Sequence, residues 1–249
     1  MVCLIPARGG SVRVPKKNIR VLNGHPLLAY TIAAARDAGL FDDGIFVSTD
    51  DADTADIARH YGASVINRPA HLATGRYPIT DVDWMRHAFD MLPRRVYDWA
   101  LLRPTSPFRT ASTIIRAHRA WKDAATHSLR AVERVRQHPG KMWVRQAGSI
   151  VPLMPYAHDN GVAWHSSPTQ SLPEVYVQNA SLEMGLTHNI VTCNSLTGRS
   201  VAPFLTGGYE GFDINTEDDW QRAVHLLAAR QATLPPVAVA ARETDLWGV

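Results

Sequence analysis

Between residues 6 and 18 the chain reads Pro-Ala-Arg-Gly-Gly-Ser-Val-Arg-Val-Pro-Lys-Lys-Asn. Paired glycines, Gly9 and Gly10, let a backbone approach a ligand closely and turn its N–H groups inward. Arg8, Arg13, Lys16 and Lys17 add positive charge and forked donors that match phosphate oxygens. Together they are compatible with anion binding, although for glycine plus basic residues alone a solvated basic turn is the commoner explanation. The spacing fits neither GxxxxGK[ST] nor GxGxxG, so a P-loop kinase and a common dinucleotide binder are both unsupported.

Three further segments carry candidate chemistry. Arg68 begins the run RPAHLATGRYPITD, where an arginine at a strand end is commonly a surface cap. In Arg103-Pro104-Thr105-Ser106-Pro107-Phe108-Arg109, two prolines around two hydroxyls make a rigid turn that can present both to a ligand or simply lead into a helix. Asp213-Ile214-Asn215 reads as strand-like, so residues 213 and 215 share a face and offer two oxygen ligands suited to Mg²⁺. Thr216 is available to cap the helix that follows.

These loops need a scaffold, and the first half of the chain supplies an alternating one. Short apolar runs at 2–6, 44–48, 63–66, 99–102 and 128–132 read as strands. Amphipathic stretches after Pro26, after Thr49 or Asp50, over 81–92 and over 110–121 read as helices, with Gly39 and Gly62 as stops. Strands buried on both faces, alternating with helices, predict an α/β fold with a mostly parallel central sheet. In such sheets ligands bind beyond the carboxyl ends of the strands, which is where the first three loops fall. From about residue 136 the rhythm breaks. Residues 137–185 hold five prolines in short β-like pieces without a good helix, and are expected to form an extended arm or subdomain. A strand at 201–205 and a helix from Thr216, with Asp219 completing a capping box, close the pattern. The tail PPVAVAARETDLWGV is expected to be loosely attached.

Composition narrows the class. The 249 residues are 45% hydrophobic and 20% charged, which excludes wholesale disorder. Two cysteines exclude a disulfide framework or a four-thiolate zinc site. Cys3, inside an apolar run, is expected to be a buried reduced thiol, in keeping with a cytoplasmic protein. No secretory signal or membrane span is legible. A net charge of +3 with dispersed basic residues gives no footprint for nucleic acid.

The segments IPARGGSVRVPKKN, KNIRVLNGHPLLAYTI, VSTDD, RPAHLA, LLRPTSPFRT and FDINTEDDW, in this order, resemble the acylneuraminate cytidylyltransferases, which make CMP-sialic acid and its relatives. The resemblance spans nearly the whole chain and is weakest across 140–200. It implies a Rossmann-like nucleotidyltransferase, one domain over 1–249 with residues 137–185 as a dimerisation arm, using CTP and Mg²⁺ and working as a homodimer. It places Arg8 and Lys17 on the triphosphate and Asp213 on the metal, with Asn215 as a weaker, neutral helper. Ala7, Gly9, Gly10, Ser11 and Asn18 would line the nucleotide, and Arg68 with Thr80 would face the cytosine. Arg103, Thr105, Ser106, Asn179 and Glu183 would border the acceptor.

The chain departs from the family pattern in four places, one of them Asn179-Ala180-Ser181 where the family has an NGA stretch. Val12 stands where the family has lysine, Arg103 where it has glutamine, and Asn215 where it has aspartate. Arg103 suggests an acceptor carboxylate partner, and hence an α-keto acid sugar of the nonulosonic or KDO type. The same CTP chemistry on a phosphonate or other small acceptor, or a decayed nucleotide-binding module, are the alternatives.

Overall fold

The structure is a computed structural model, and it describes residues 1–10 and 13–240. Strand β1 (Val2–Pro6) is apolar and buried along almost its whole length, as a strand covered on both faces must be. Helix α1 (Leu27–Ala38) follows Pro26 and ends at Gly39, whose φ of 62° lets its N–H return to the Arg36 carbonyl. Strand β2 (Ile45–Thr49) leads into α2 (Ala52–His60). The cap of α2 is Asp51, which accepts from the Thr54 N–H at 2.8 Å. Thr49 and Asp50, the expected caps, lie just upstream, and Asp50 is occupied elsewhere, accepting from the Gly9 N–H at 2.9 Å.

The chain continues through β3 (Ser64–Asn67), α3 (Asp81–Asp90), β4 (Asp98–Leu101), α4 (Ala111–Ala124) and β5 (Ser128–Arg134). It returns through β6 (Tyr176–Leu186), α5 (Thr187–Val191), β7 (Val201–Leu205) and α6 (Glu217–Ala228). Seven strands form one sheet in the order β7-β5-β6-β4-β1-β2-β3. β1 pairs in parallel with β2 and β4, and β2 with β3, so four carboxyl ends share one edge. β6 runs antiparallel to β4 with Glu183 opposite Leu101, which brings Glu183 to that same edge.

The pleat divides the core. Cys3, Ile5, Val47 and Ala100 face α1, α2 and α4, while Val2, Leu4, Ile66 and Leu101 face Val82, Trp84, Met85 and Ala88 of α3. A third cluster seats Trp220, Ala223 and Leu226 of α6 on Val14, Leu27, Phe108 and Ile214, and so holds three of the candidate segments. The tail is less loose than its composition suggests. Val237 and Val239 lie against the core, and the Ala240 carbonyl is 2.8 Å from His60 Nε2. Residues 241–249 lie outside the described residues.

Two compact units emerge, one of residues 1–131 with those from 179 onward, the other Val132–Gln178. The inserted unit begins and ends earlier than the 137–185 read from proline content, because residues 179–185 belong to β6, a long strand whose exposed start hides its periodicity. By itself this unit holds an antiparallel hairpin, Trp143–Gln146 on Ser149–Pro152, and three short 3₁₀ turns. His138 and Tyr156 ring Trp164, and Trp143, Ile150, Leu153 and Tyr156 are exposed. No helix among the described residues is long and apolar enough to cross a membrane.

Candidate active site

The loop after β1 is drawn over the carboxyl edge by specific bonds. Ala7 gives its N–H to the Ser48 carbonyl at 3.0 Å, continuing the ladder past the strand end. Gly9, read from sequence as a phosphate donor, gives its N–H to Asp50. A Cβ on Gly9 would stand 2.7 Å from the Asp51 Cβ, so only glycine fits there. The Gly10 N–H has no partner among the described residues, and Ser11 lies outside them, together with Val12. Asn18 is buried and donates from Nδ2 to the Arg8 carbonyl at 3.2 Å, closing the loop on itself.

Arg8 reaches across to the turn at 73–75 and donates to the Thr74 carbonyl at 2.7 Å and, more weakly, to Ala73 at 3.4 Å. Gly75, at φ +60°, lies against this guanidinium, and a Cβ there would come within 2.1 Å of Arg8 Nη1. Lys17 points instead to the other end of the chain and donates to the Ile214 carbonyl at 2.6 Å. Burial lowers the Lys17 pKa, and Asp213 beside it acts in the opposite direction. Residues 213–215 form no strand. They are an extended segment pinned where Ile214 is buried and its N–H meets the Thr105 carbonyl at 2.8 Å. Asp213 and Asn215 nonetheless share a side, for Asn215 Nδ2 donates to Asp213 Oδ2. Asp213 Oδ1 is buried and has no hydrogen-bond partner among the described residues. Arg13 also joins this corner, 3.4 Å from Asn215 Oδ1. Thr216 and Asp219 form the expected capping box and free Asp213 and Asn215 from that duty.

On the opposite side stands a wall of paired charges. Arg68 is buried, donating from Nε to Ser48 Oγ at 3.0 Å and from Nη2 to the Ser48 carbonyl at 3.1 Å. Its guanidinium lies 4.5 Å from the centre of the Trp84 ring. Burial pulls the Arg68 pKa down to about 10, against the opposing pull of Asp50 and Asp81. Arg103, expected to hold an acceptor carboxylate, is already paired with Asp81 at 2.7 Å and Glu183 at 3.2 Å. Burial works against its charge, but the two carboxylates outweigh it and hold its pKa above the usual value. Glu183 also pairs with Arg130 at 3.0 Å. Thr80 is the N-cap of α3, its hydroxyl 2.7 Å from Asp83. Thr105 contributes its carbonyl to Ile214, while Ser106 is buried with its hydroxyl unpartnered among the described residues. Asn179 donates to Thr206 Oγ1 at 2.9 Å and lies hard against Gly211.

Sequence reasoning passed over Asp81, Trp84 and Arg109. Arg109 is fully buried, donating to the carbonyls of Arg103 and Ser181 and to Thr31 Oγ1 at 2.9 Å. Burial lowers its pKa to about 10. It ties the Arg103 turn to β6, and nothing in PTSPFRT marks that arginine as internal. Asp81 was legible only as the start of a helix.

A parallel α/β sheet whose carboxyl edge combines a glycine-basic loop, a stacked arginine and an aspartate–asparagine pair defines a nucleotide-binding fold equipped for phosphoryl-type transfer. The family model for cytidylyltransferases matches residues 2–147, and the chain belongs to that family. It is 32% identical over 240 residues to the CMP-N,N'-diacetyllegionaminic acid synthase of Legionella pneumophila, covering 94% of this chain and 99% of that protein. Over 117 residues it is 39% identical to the N-acylneuraminate cytidylyltransferase of Escherichia coli, covering 47% of this chain and 27% of that one. Among solved structures, a CMP:2-keto-3-deoxy-manno-octonic acid synthetase complexed with CTP superposes with a TM-score of 0.66 at 14% identity, covering 92% of this chain and 98% of that one. The fold is therefore Rossmann-like, and the protein is a CTP-dependent nucleotidyltransferase.

Proposed function

We propose that the protein transfers CMP from CTP to a hydroxyl of a nonulosonic acid or a KDO-like sugar. The hydroxyl oxygen attacks the α-phosphorus, the bond to the β-phosphate oxygen breaks, pyrophosphate leaves, and the hydroxyl proton passes to solvent. The observation that carries the chemistry is the corner where Lys17, Asp213 and Asn215 meet, with one buried Asp213 oxygen left unbonded among the described residues. A buried carboxylate oxygen without a donor is costly unless a cation takes it. An Asp213 carboxylate and an Asn215 amide oxygen, with Asp219 beside them engaged by the N–H groups of Asn215 and Thr216, suit Mg²⁺, which takes its other ligands from phosphates and water. Asp213 and Asn215 would hold the ion, which when bound would neutralise phosphate charge.

The chain's own groups do the rest. Lys17 and Arg8 balance charge as pyrophosphate departs, while the loop from Ala7 through Ser11 to Asn18 wraps the nucleotide. Arg68, over the Trp84 ring and fixed by Ser48, offers its remaining Nη1 edge to the cytosine, with Thr80 at the mouth of the same wall. Arg103, Thr105, Ser106, Asn179 and Glu183 border the acceptor. Because Arg103 already carries two carboxylates, it contributes shape and hydrogen-bond donors in place of a free positive charge. The acceptor class rests on the legionaminic acid synthase, whose likeness runs the length of both chains. The exposed apolar residues of 132–178 favour a homodimer, and dependence on CTP favours a cytoplasmic site of action.

The test is pyrophosphate release from CTP and Mg²⁺ with N-acetylneuraminate, legionaminic acid, pseudaminic acid and KDO in turn. Release with at least one of these sugars is expected. CTP binding with no release from any of them would overturn the acceptor class.

A further inference from the structure

Asp81 is the first residue of α3, a position where a carboxylate ordinarily lies over the unpaired N–H groups of the first turn. Here that duty is discharged by Thr80 and Asp83, which form a reciprocal capping box. The Asp81 side chain is directed elsewhere. Its Oδ1 accepts from the Trp84 indole N–H at 2.7 Å, and its Oδ2 accepts from Arg103 Nη2 at 2.7 Å. Each of those partners belongs to a different wall. Trp84 is the platform on which Arg68 lies at 4.5 Å, beyond the end of β3. Arg103 follows β4 and leads on to Glu183 of β6 and, through it, to Arg130 of β5.

Without Asp81 the repulsion that lowers the affinity of Arg68 for its proton would lose one of the two carboxylates that oppose it. Arg68 feels Arg103 and Arg8 in that sense, and feels Asp81 in the opposite one. Among the described residues, Asp81 thus accepts from both sides, from the indole beneath Arg68 with one oxygen and from Arg103 with the other.

We propose that Asp81 is a positioning residue for the transfer reaction, fixing with one oxygen the indole beneath Arg68 and with the other the guanidinium of Arg103. Two arginines on separate strand ends thereby keep one relative placement. The proposal rests on the reading of Arg68 as the base-facing arginine and of Arg103 as bordering the acceptor. Its two halves separate by substitution. In Asp81→Asn the amide oxygen can still accept from the Trp84 indole, but the amide N–H₂ now confronts Arg103 and releases it. Asp81→Ala loses both contacts.

The experiment measures CTP binding by calorimetry, without acceptor, and steady-state kinetics with whichever panel sugar gives the fastest pyrophosphate release. Asp81→Asn is expected to bind CTP within about twofold of wild type while kcat/KM for the sugar falls about tenfold, the scale of one charged hydrogen bond. Asp81→Ala is expected to weaken CTP binding about tenfold as well. In an Arg103→Met background Asp81→Asn should cost less than about twofold, since its effect passes through Arg103. A merely structural role predicts the contrary. Equal losses of CTP binding in the two Asp81 variants, or losses that multiply with Arg103→Met, would overturn the proposal. Wild-type protein that binds CTP but turns over no panel sugar would overturn the acceptor reading alone. The calorimetric contrast between Asp81→Asn and Asp81→Ala would then still decide the base-facing half.

Discussion

The two sides of the carboxyl edge are built on opposite terms. On the side proposed for the phosphates, the Gly10 N–H and Asp213 Oδ1 have no partner among the described residues, and Lys17 donates to the Ile214 carbonyl beside the Asp213 and Asp219 charges. On the arginine wall, Arg68, Asp81, Arg103 and Glu183 all have protein partners before any ligand arrives. Charge redistributes during transfer at the α-phosphorus, so groups there must be free to meet it. A base and a sugar keep their charge through the reaction, and rigid, pre-paired groups read them with less ordering cost on binding. The open groups are candidates for catalysis and the satisfied ones for selection.

That division can be broken from either side. The largest effect is expected at Asp213→Ala, which removes the unbonded oxygen. A loss in kcat of about a thousandfold, the scale of a lost transition-state electrostatic contact, should come with little change in thermal midpoint. Lys17→Ala should cost about a hundredfold. Since the Lys17 pKa lies below its ordinary value, activity should decline on the alkaline side earlier than for an exposed lysine. Lys17→Arg should move that decline to higher pH, as a pH–rate profile would reveal.

Gly75→Ala is expected to weaken CTP binding about tenfold, because the added methyl both strains a left-handed backbone and displaces the Arg8 guanidinium. Calorimetry with CTP would measure it, and an unchanged affinity would mean that Arg8 acts independently of the 73–75 turn. The smallest effect belongs to the wall. Burial raises the Asp81 pKa, but Arg103 and Trp84 outweigh it, leaving the folded value below the unfolded one. Asp81 therefore contributes stability at pH values above its unfolded pKa of about 3.9, and that contribution is lost as pH falls through the folded value. Thermal midpoints taken from pH 7 down to pH 2 should fall less steeply at the acid end for Asp81→Asn than for wild type.

The strands, most helices and the edge that gathers the loops were legible because burial on both faces writes itself as short apolar runs. The Asp213–Asn215 pair was legible as a pair, although its rigidity comes from Ile214 being buried and bonded to Thr105, with no strand involved. β6 was not legible, since its first residues are exposed whatever their polarity and only Ser181 to Gly185 is buried. The state of Arg103 was also out of reach. Its partners lie 22 residues before it and 80 residues after it in sequence, and only the register of β6 against β4 brings Glu183 close. The role of Asp81 was masked by its position, because an acidic residue at a helix start already has an ordinary explanation.

Pyrophosphate release, measured for wild type and Asp213→Ala with CTP, Mg²⁺ and the four acid sugars, tests the central claim most directly. The account predicts CTP-dependent release by wild type with at least one sugar and near-complete loss in the variant, with the fold intact by circular dichroism. Release that survives Asp213→Ala, or a wild type that neither binds CTP nor releases pyrophosphate, would contradict it.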